Sequence, residues 1–265
     1  MGSFKITIEN YDQVKAGMTA NPEMAATPMD RRSESGQPIF FDVILDISGS
    51  MSEFYDELVS CFNEIMIPSL AGAAHRYKGP MRLGCLLFSK ELVPAWRGFK
   101  SLKELGKKPL KRATLNQPGL QSTTALYGAM TAGILWTAAA MDHMRENGRG
   151  ESPKSKIIVL TDGANNEPPK EEVAVVKALD SIGTKNRQAL MGFGMDDEGK
   201  PKNGKVIGFF DTGSKAGGLT KSQFNTMVAA TMFHGNGFYE IATGGTPEER
   251  QATFRHHFQI FSSQQ

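Results

Sequence analysis

The chain has 265 residues, enough for one large domain or two small ones with a substantial core. Hydrophobic residues make up 40% and charged residues 22%, as in an ordinary globular protein, and 30 basic residues against 28 acidic ones leave a formal net charge of +2. That balance argues against binding nucleic acid through overall charge, no run approaches the about 20 apolar residues of a membrane span, and two cysteines are too few for a disulfide framework.

In chain order, the start MGSFKITIENYDQ has no apolar core of a secretory signal, so a cytoplasmic chain with both Cys61 and Cys85 reduced and buried is expected. The alternation over Phe4–Ile8 predicts an edge strand. Gly17 to Pro38 is polar, holds three prolines and lacks periodicity, so residues 1–38 are expected to form an N-terminal arm, extended or partly disordered. Residues 39–265 form the expected domain. Ile39–Leu45 (IFFDVIL) reads as a strand covered on both faces, because apolar residues occupy both parities. Phe54–Tyr77 follows with helical spacing and Pro68 within it, a site for a kink or a break. Met81–Ser89 and Leu92–Trp96 are two strands with almost nothing between them, so they must be antiparallel, with the second at a sheet edge.

A helix is predicted over Thr124–Met144, a strand over Lys156–Leu160, a helix over Lys170–Ser181 and a strand over Ala189–Phe193. A helix over Thr220–Phe233, a strand over Phe238–Ile241 and a helix over Pro247–Phe261 close the chain, the last with Thr246 as N-cap and Glu249 completing a capping box. Residues 195–219 are left as a Gly- and Lys-rich insertion. Strands alternating with helices predict an α/β fold: a doubly wound, mostly parallel six-stranded sheet with one antiparallel edge strand and helices on both faces. Ligand sites in such sheets lie beyond the carboxyl ends of the strands, where strand order reverses.

The residues at those ends carry oxygen. Asp46-Ile47-Ser48-Gly49-Ser50-Met51-Ser52 follows the first strand, Thr161-Asp162-Gly163 follows the fourth, and Ser122-Thr123-Thr124 opens the helix between. Carboxylates and hydroxyls without cysteine or histidine suit a hard cation such as Mg²⁺ (or Mn²⁺ or Ca²⁺). Neutral hydroxyl ligands leave such an ion electron-poor and ready for an anionic ligand from outside. A second reading has Ser50 capping the next helix with Glu53, which is compatible with the first.

FDVILDISGSM, STTAL and KIIVLTDG together resemble the von Willebrand factor A domain family and its metal-ion-dependent adhesion site. The resemblance extends from Ile39 to the C-terminus, with LGCLLFS similar to the family's second strand. It implies that Ser48 and Ser50 coordinate the metal directly, that Asp46 and Asp162 act mainly through water, and that Thr124 is the distant threonine. Ser122 and Thr123 stand where the family usually has two glycines, which leaves Thr123 a rival to Thr124. Ser52, Thr123, Asn165, Asn166 and Glu167 would line the rim, although turn formation before Pro168-Pro169 accounts for the last three almost as well. The family's function would be a metal-dependent protein–protein interaction in which a partner's Asp or Glu completes the coordination shell, with no catalysis. Among intracellular forms, the chain resembles bacterial proteins of the tellurite-resistance TerY type. That implies a stress-response or defence assembly, with a kinase, a phosphatase or a MoxR-type ATPase as partner.

Two alternatives stay open. A metal-assisted phosphoester hydrolase would use the same carboxylates, but no histidine is placed to act as a base and no H-E-x-x-H or P-loop motif occurs. An RNA-associated A domain would use the basic segment 100–112, where Lys100, Lys103, Lys107, Lys108, Lys111 and Arg112 face only Glu104. No aromatic residue interleaves them, so nucleic acid is not expected and a solvated helix and loop is the plainer reading. Without this segment the rest of the chain has 24 basic and 27 acidic residues, so the net +2 is a slightly acidic domain plus one basic strip.

Overall fold

All eight residues of β1 (Ile39–Asp46) are buried in the computed structural model. The structure describes residues 6–20, 25–26, 36–77, 79–116, 124–147, 153–161, 172–183, 185–186, 207–211, 236–240 and 246–263. β1 pairs in parallel with β2 (Met81–Phe88) on one side and β5 (Lys154–Thr161) on the other. Beyond β5 the sheet continues in parallel through β6 (Ile207–Asp211) and β7 (Asn236–Glu240). Two short antiparallel strands, β3 (Leu92–Pro94) and β4 (Lys100–Ser101), pair with the two ends of β2. The order is β3-β2-β1-β5-β6-β7, with β4 beside β2. The chain runs from β1 outward to β2, then returns past β1 to β5, so strand order reverses beside β1.

The β1 side chains divide between two cores, as a period of two requires. Phe41, Val43 and Leu45 pack with α2 (Tyr55–Ser60), a π turn (Cys61–Met66), α3 (Ile67–Tyr77) and Phe254 and Phe258 of α8 (Pro247–Ser263). Leu105 of α4 (Leu102–Lys107) and Leu115 of α5 (Arg112–Leu115) join that face. Phe40 and Ile44 pack with α1 (Tyr11–Ala20), α6 (Leu126–Asn147) and α7 (Glu172–Ser181) on the other. α6 is buried nearly all round from Leu126 to Met141, because the sheet and two helices surround it.

Local chemistry explains the breaks. The Phe54–Tyr77 segment is divided by the π turn, closed by the Ile67 N–H donating to Phe62 O, immediately before Pro68. A proline that cannot donate and whose ring crowds the preceding turn is accommodated by such widening. At α8, the Thr246 N–H donates to Glu249 Oε2 at 2.8 Å and the Glu249 N–H to Thr246 Oγ1 at 3.3 Å, the reciprocal box read from the sequence.

Several expectations are corrected. Among the described residues the sheet has seven strands where six were expected: five parallel ones and two short antiparallel ones on β2. β4 is two residues long and leaves no alternation to read. β6 lies inside the 195–219 stretch that had been left as an insertion, while the predicted strand 189–193 and helix 220–233 lie outside the described residues. Ile6–Ile8 do not form a strand, and Gly17–Ala20 belong to α1 rather than to an extended segment. Met18 is buried in the α6 core, and the Tyr11 hydroxyl and the Lys15 ammonium both reach Asp142 of α6. No helix among the described residues is long and apolar enough to cross a membrane. Cys61 and Cys85 are free and buried, and burial pushes the Cys61 thiol up to about 12.

α6 approaches β1 most closely at Gly133. A Cβ there would lie 2.4 Å from Ile44 Cδ1 and 2.9 Å from Asp42 Oδ2. Gly133→Ala is therefore expected to destabilise the protein by about 1–3 kcal/mol despite alanine's better helix propensity, as read from urea unfolding.

Candidate metal centre at the carboxyl edge of the sheet

Asp46 ends β1 and is completely buried. Both of its carboxylate oxygens are held by the chain. The Ser48 N–H donates to Oδ1 at 2.8 Å, and the Thr161 hydroxyl at the end of β5 donates to Oδ2 at 2.7 Å. A carboxylate offers about four acceptor positions, so two donors orient it and leave lone pairs for further partners.

The loop beyond Asp46 is fixed from below. The Ile47 N–H donates to Phe88 O at 2.8 Å, and the Tyr55 hydroxyl donates to Ile47 O at 2.7 Å. Ser48 is the N-cap residue of a 3-10 turn (Gly49–Phe54), but its side chain makes no capping hydrogen bond. Instead Ser48 Oγ lies 3.1 Å from Ser50 Oγ. Ser50 sits inside the turn, so the capping-box reading with Glu53 does not describe the helix start. Ser52 donates its hydroxyl to Gly49 O at 2.7 Å, which braces the turn.

Thr124 is buried at the head of α6, and the next residue is tied to the same sheet edge. The Ala125 N–H donates to Ser89 O at 2.8 Å, one residue past Phe88, which faces Asp46 in register. The structure thus brings Asp46, Ser48, Ser50 and Thr124 to one end of the sheet. Asp162, Thr123, Asn165, Asn166 and Glu167 lie outside the described residues. Thr161, the donor to Asp46, was not singled out in the sequence. Its signal was available, since it precedes the TDG aspartate and shares the Asp46 face across the parallel pair.

The donor set fits a hard cation. Adjacent ligands on an octahedral ion with bonds of about 2.1 Å lie about 3 Å apart, and the two serine oxygens are 3.1 Å apart. Among the described residues no group of three His, Cys, Asp or Glu could hold a metal, so the site depends on its hydroxyls. Four residues back on the same face, Asp42 is also fully buried. Its Oδ2 accepts from the Thr137 hydroxyl at 3.2 Å and its Oδ1 has no hydrogen-bond partner among the described residues, and burial holds its carboxyl well above the usual range.

No family model matches the chain, and no curated protein matches it. Solved structures do. The pilus adhesin SpaC of Lactobacillus rhamnosus GG, in its open conformation, aligns over 86% of this chain and 30% of its own, with a TM-score of 0.50 and 11% identity. The chain shares that fold. Two further similar structures are a von Willebrand factor type A from Catenulispora acidiphila (TM-score 0.49, 12% identity, 85% of this chain and 43% of that one) and manganese-loaded Plasmodium vivax TRAP protein (TM-score 0.41, 12% identity, 73% and 63%). The chain thus spans less than two thirds of the length of each. A likeness at this identity speaks for the fold alone, so function has to be argued from the site.

Proposed function

We propose that the chain is a metal-dependent protein-interaction module of the von Willebrand factor A type. Ser48 and Ser50 would bind Mg²⁺ (or Mn²⁺ or Ca²⁺) directly, Thr124 would complete the hydroxyl set, and Asp46 and Asp162 would hold its water ligands. Ser52, Thr123, Asn165, Asn166 and Glu167 would surround the opening. The observation that carries this reading is the pair of serine hydroxyls 3.1 Å apart beside a carboxylate fixed at both oxygens. When bound, the metal supplies an electron-poor site for an outside carboxylate. The chain's own part is to hold the Asp46 carboxylate still through Ser48 and Thr161 and to keep the hydroxyl ligands neutral, so the ion's charge is only partly offset. A partner's Asp or Glu is the expected ligand.

A binding role is favoured over hydrolysis by the same geometry. Among the described residues the Ser48 and Ser50 hydroxyls have only each other as side-chain partners, and none of those residues serves either as a base. The finer placement follows the sequence resemblance to TerY-type proteins. We place the chain in the cytoplasm, within a bacterial stress-response or defence assembly, with a kinase, a phosphatase or a MoxR-type ATPase among its partners.

The test has two readouts. Mn²⁺ titration followed by electron paramagnetic resonance should show at least tenfold weaker binding in Ser48→Ala, with an unchanged thermal transition in the absence of metal. Capture of partners from native lysate should be lost with EDTA and in Asp46→Ala. Full Mn²⁺ binding by Ser48→Ala would overturn the reading.

A further inference from the structure

The basic segment forms a solvent-facing helix and loop, as the sequence suggests, but it is held in place. Ser101 caps α4 in a reciprocal box with Glu104, which fixes its start. Leu105, Leu110 and Leu115 are buried in the core beneath it. Between α4 and α5, Asn63 of the π turn grips the backbone at both poles: its amide donates to Leu110 O at 2.9 Å, and its carbonyl accepts the Leu110 N–H at 3.0 Å. At the far end, Arg112 pairs with Asp56 at the start of α2. The neighbouring residue, Tyr55, is the one whose hydroxyl braces Ile47 in the candidate metal loop. The strip is thus pinned along the α2–α3 face, and its end abuts the helix that rises from that loop.

What remains exposed is uncompensated charge. Lys103, Lys107, Lys108 and Lys111 are exposed, and among the described residues none has an ion-pair partner. Glu104, the one acid within the segment, is engaged in its capping box, and Asp56, which meets its far end, pairs with Arg112. From Leu105 to Met141 the chain has no Asp or Glu. Four ammonium groups on a rigid scaffold repel one another in the free protein, and a run of carboxylates would relieve that. A phosphate backbone carries the right sign too, but no aromatic residue stands between Lys100 and Asn116 for bases to stack on.

We propose that Lys103, Lys107, Lys108 and Lys111 form a docking strip for an acidic segment of a protein partner, continuous with the candidate metal site and leading that segment's carboxylates toward it. The strip acts mainly on encounter rate and register, and the metal on retention. The last step rests on the carboxylate-capture reading above; the strip's own affinity does not.

The experiment uses the full chain and a fluorescein-labelled twelve-residue Glu-rich peptide, by anisotropy with and without Mg²⁺, at about 50 and 200 mM salt. Lys107→Glu/Lys108→Glu/Lys111→Glu should weaken peptide binding at least tenfold and abolish its salt dependence. Lys177→Glu/Lys185→Glu, two exposed lysines on the α7 side, should change it less than twofold. Ser48→Ala should remove the Mg²⁺ contribution but leave the salt-dependent part. Unchanged peptide binding in the triple variant overturns the strip, as does tighter binding of a labelled oligonucleotide of equal charge. A missing Mg²⁺ contribution with the strip's effect intact overturns the metal reading alone.

Discussion

Lys156→Met is expected to stabilise the protein by about 2–4 kcal/mol at pH 7. Lys156 lies in the middle of β5, in register with Phe41 of β1, and is fully buried. Burial pulls its ammonium from an ordinary value of 10.5 down to about 7. The sign follows from the direction. A group whose folded pKa is depressed binds fewer protons in the folded than in the unfolded chain between the two values, so stability falls as pH drops from 10.5 to about 7 and is level below. A gap of about 3.5 pKa units corresponds to at most about 5 kcal/mol. Lys156 has interactions of its own that methionine would forfeit, which lowers the net gain. Methionine keeps the unbranched stem and fills irregular space well. Urea unfolding of both proteins at pH 7 and pH 10 is the measurement. The gain should be largest at pH 7 and shrink toward pH 10; a gain independent of pH, or none, would refute the account.

Such a lysine is also instructive about what a sequence displays. KIIVL announces a buried strand because apolar residues dominate it, and the single lysine looks like the strand's exposed start. The structure begins β5 two residues earlier, at Lys154, and Lys156 is inside. The parallel core of the sheet was legible for a related reason: β1, β2 and β5 are apolar at both parities, which only a strand covered on both faces can be. β6 was hidden because Ile207–Asp211 is short and flanked by Gly- and Lys-rich sequence. The helix of the arm escaped notice because YDQVKAGMTA buries only a few side chains, among them Tyr11 and Met18, against α6.

The candidate site was legible to a different degree. Asp46, Ser48 and Ser50 are contiguous, so one strand and one turn place them together, and the sequence reveals both. Thr161 joins them only through strand pairing, since 115 positions separate it from Asp46. Asp42 was passed over for the opposite reason. It sits alone within an apolar strand, away from the oxygen-rich loops, and α6 covers it, with glycine at 133 allowing the close approach.

That burial sets up the last expectation: Asp42→Asn should remove a loss of stability that the native protein shows as pH rises above the ordinary carboxyl value of 3.8. The Asp42 carboxyl is held well above its ordinary 3.8, first by burial, and the Thr137 hydrogen bond only partly opposes this. The folded chain therefore keeps a proton that the unfolded chain gives up. A group with a raised folded pKa contributes stability that is complete below the unfolded value and declines above it, here by up to about 1.4 kcal/mol per pH unit. Asparagine does not ionise, nearly matches the shape and still accepts from Thr137. Its extra N–H is buried without an acceptor, at a cost of about 1–3 kcal/mol that does not vary with pH. The native chain should therefore lose ground to the variant progressively as pH rises above 3.8. Lys156 works in the opposite sense only above about pH 7, so below that the slope belongs to Asp42 once the variant's curve is subtracted from the native one. Repeating the subtraction in the Lys156→Met background should leave that slope unchanged. Parallel curves for the native chain and Asp42→Asn would mean that the carboxyl is ionised in the folded state, and that a cation or a proton donor not among its described neighbours compensates it.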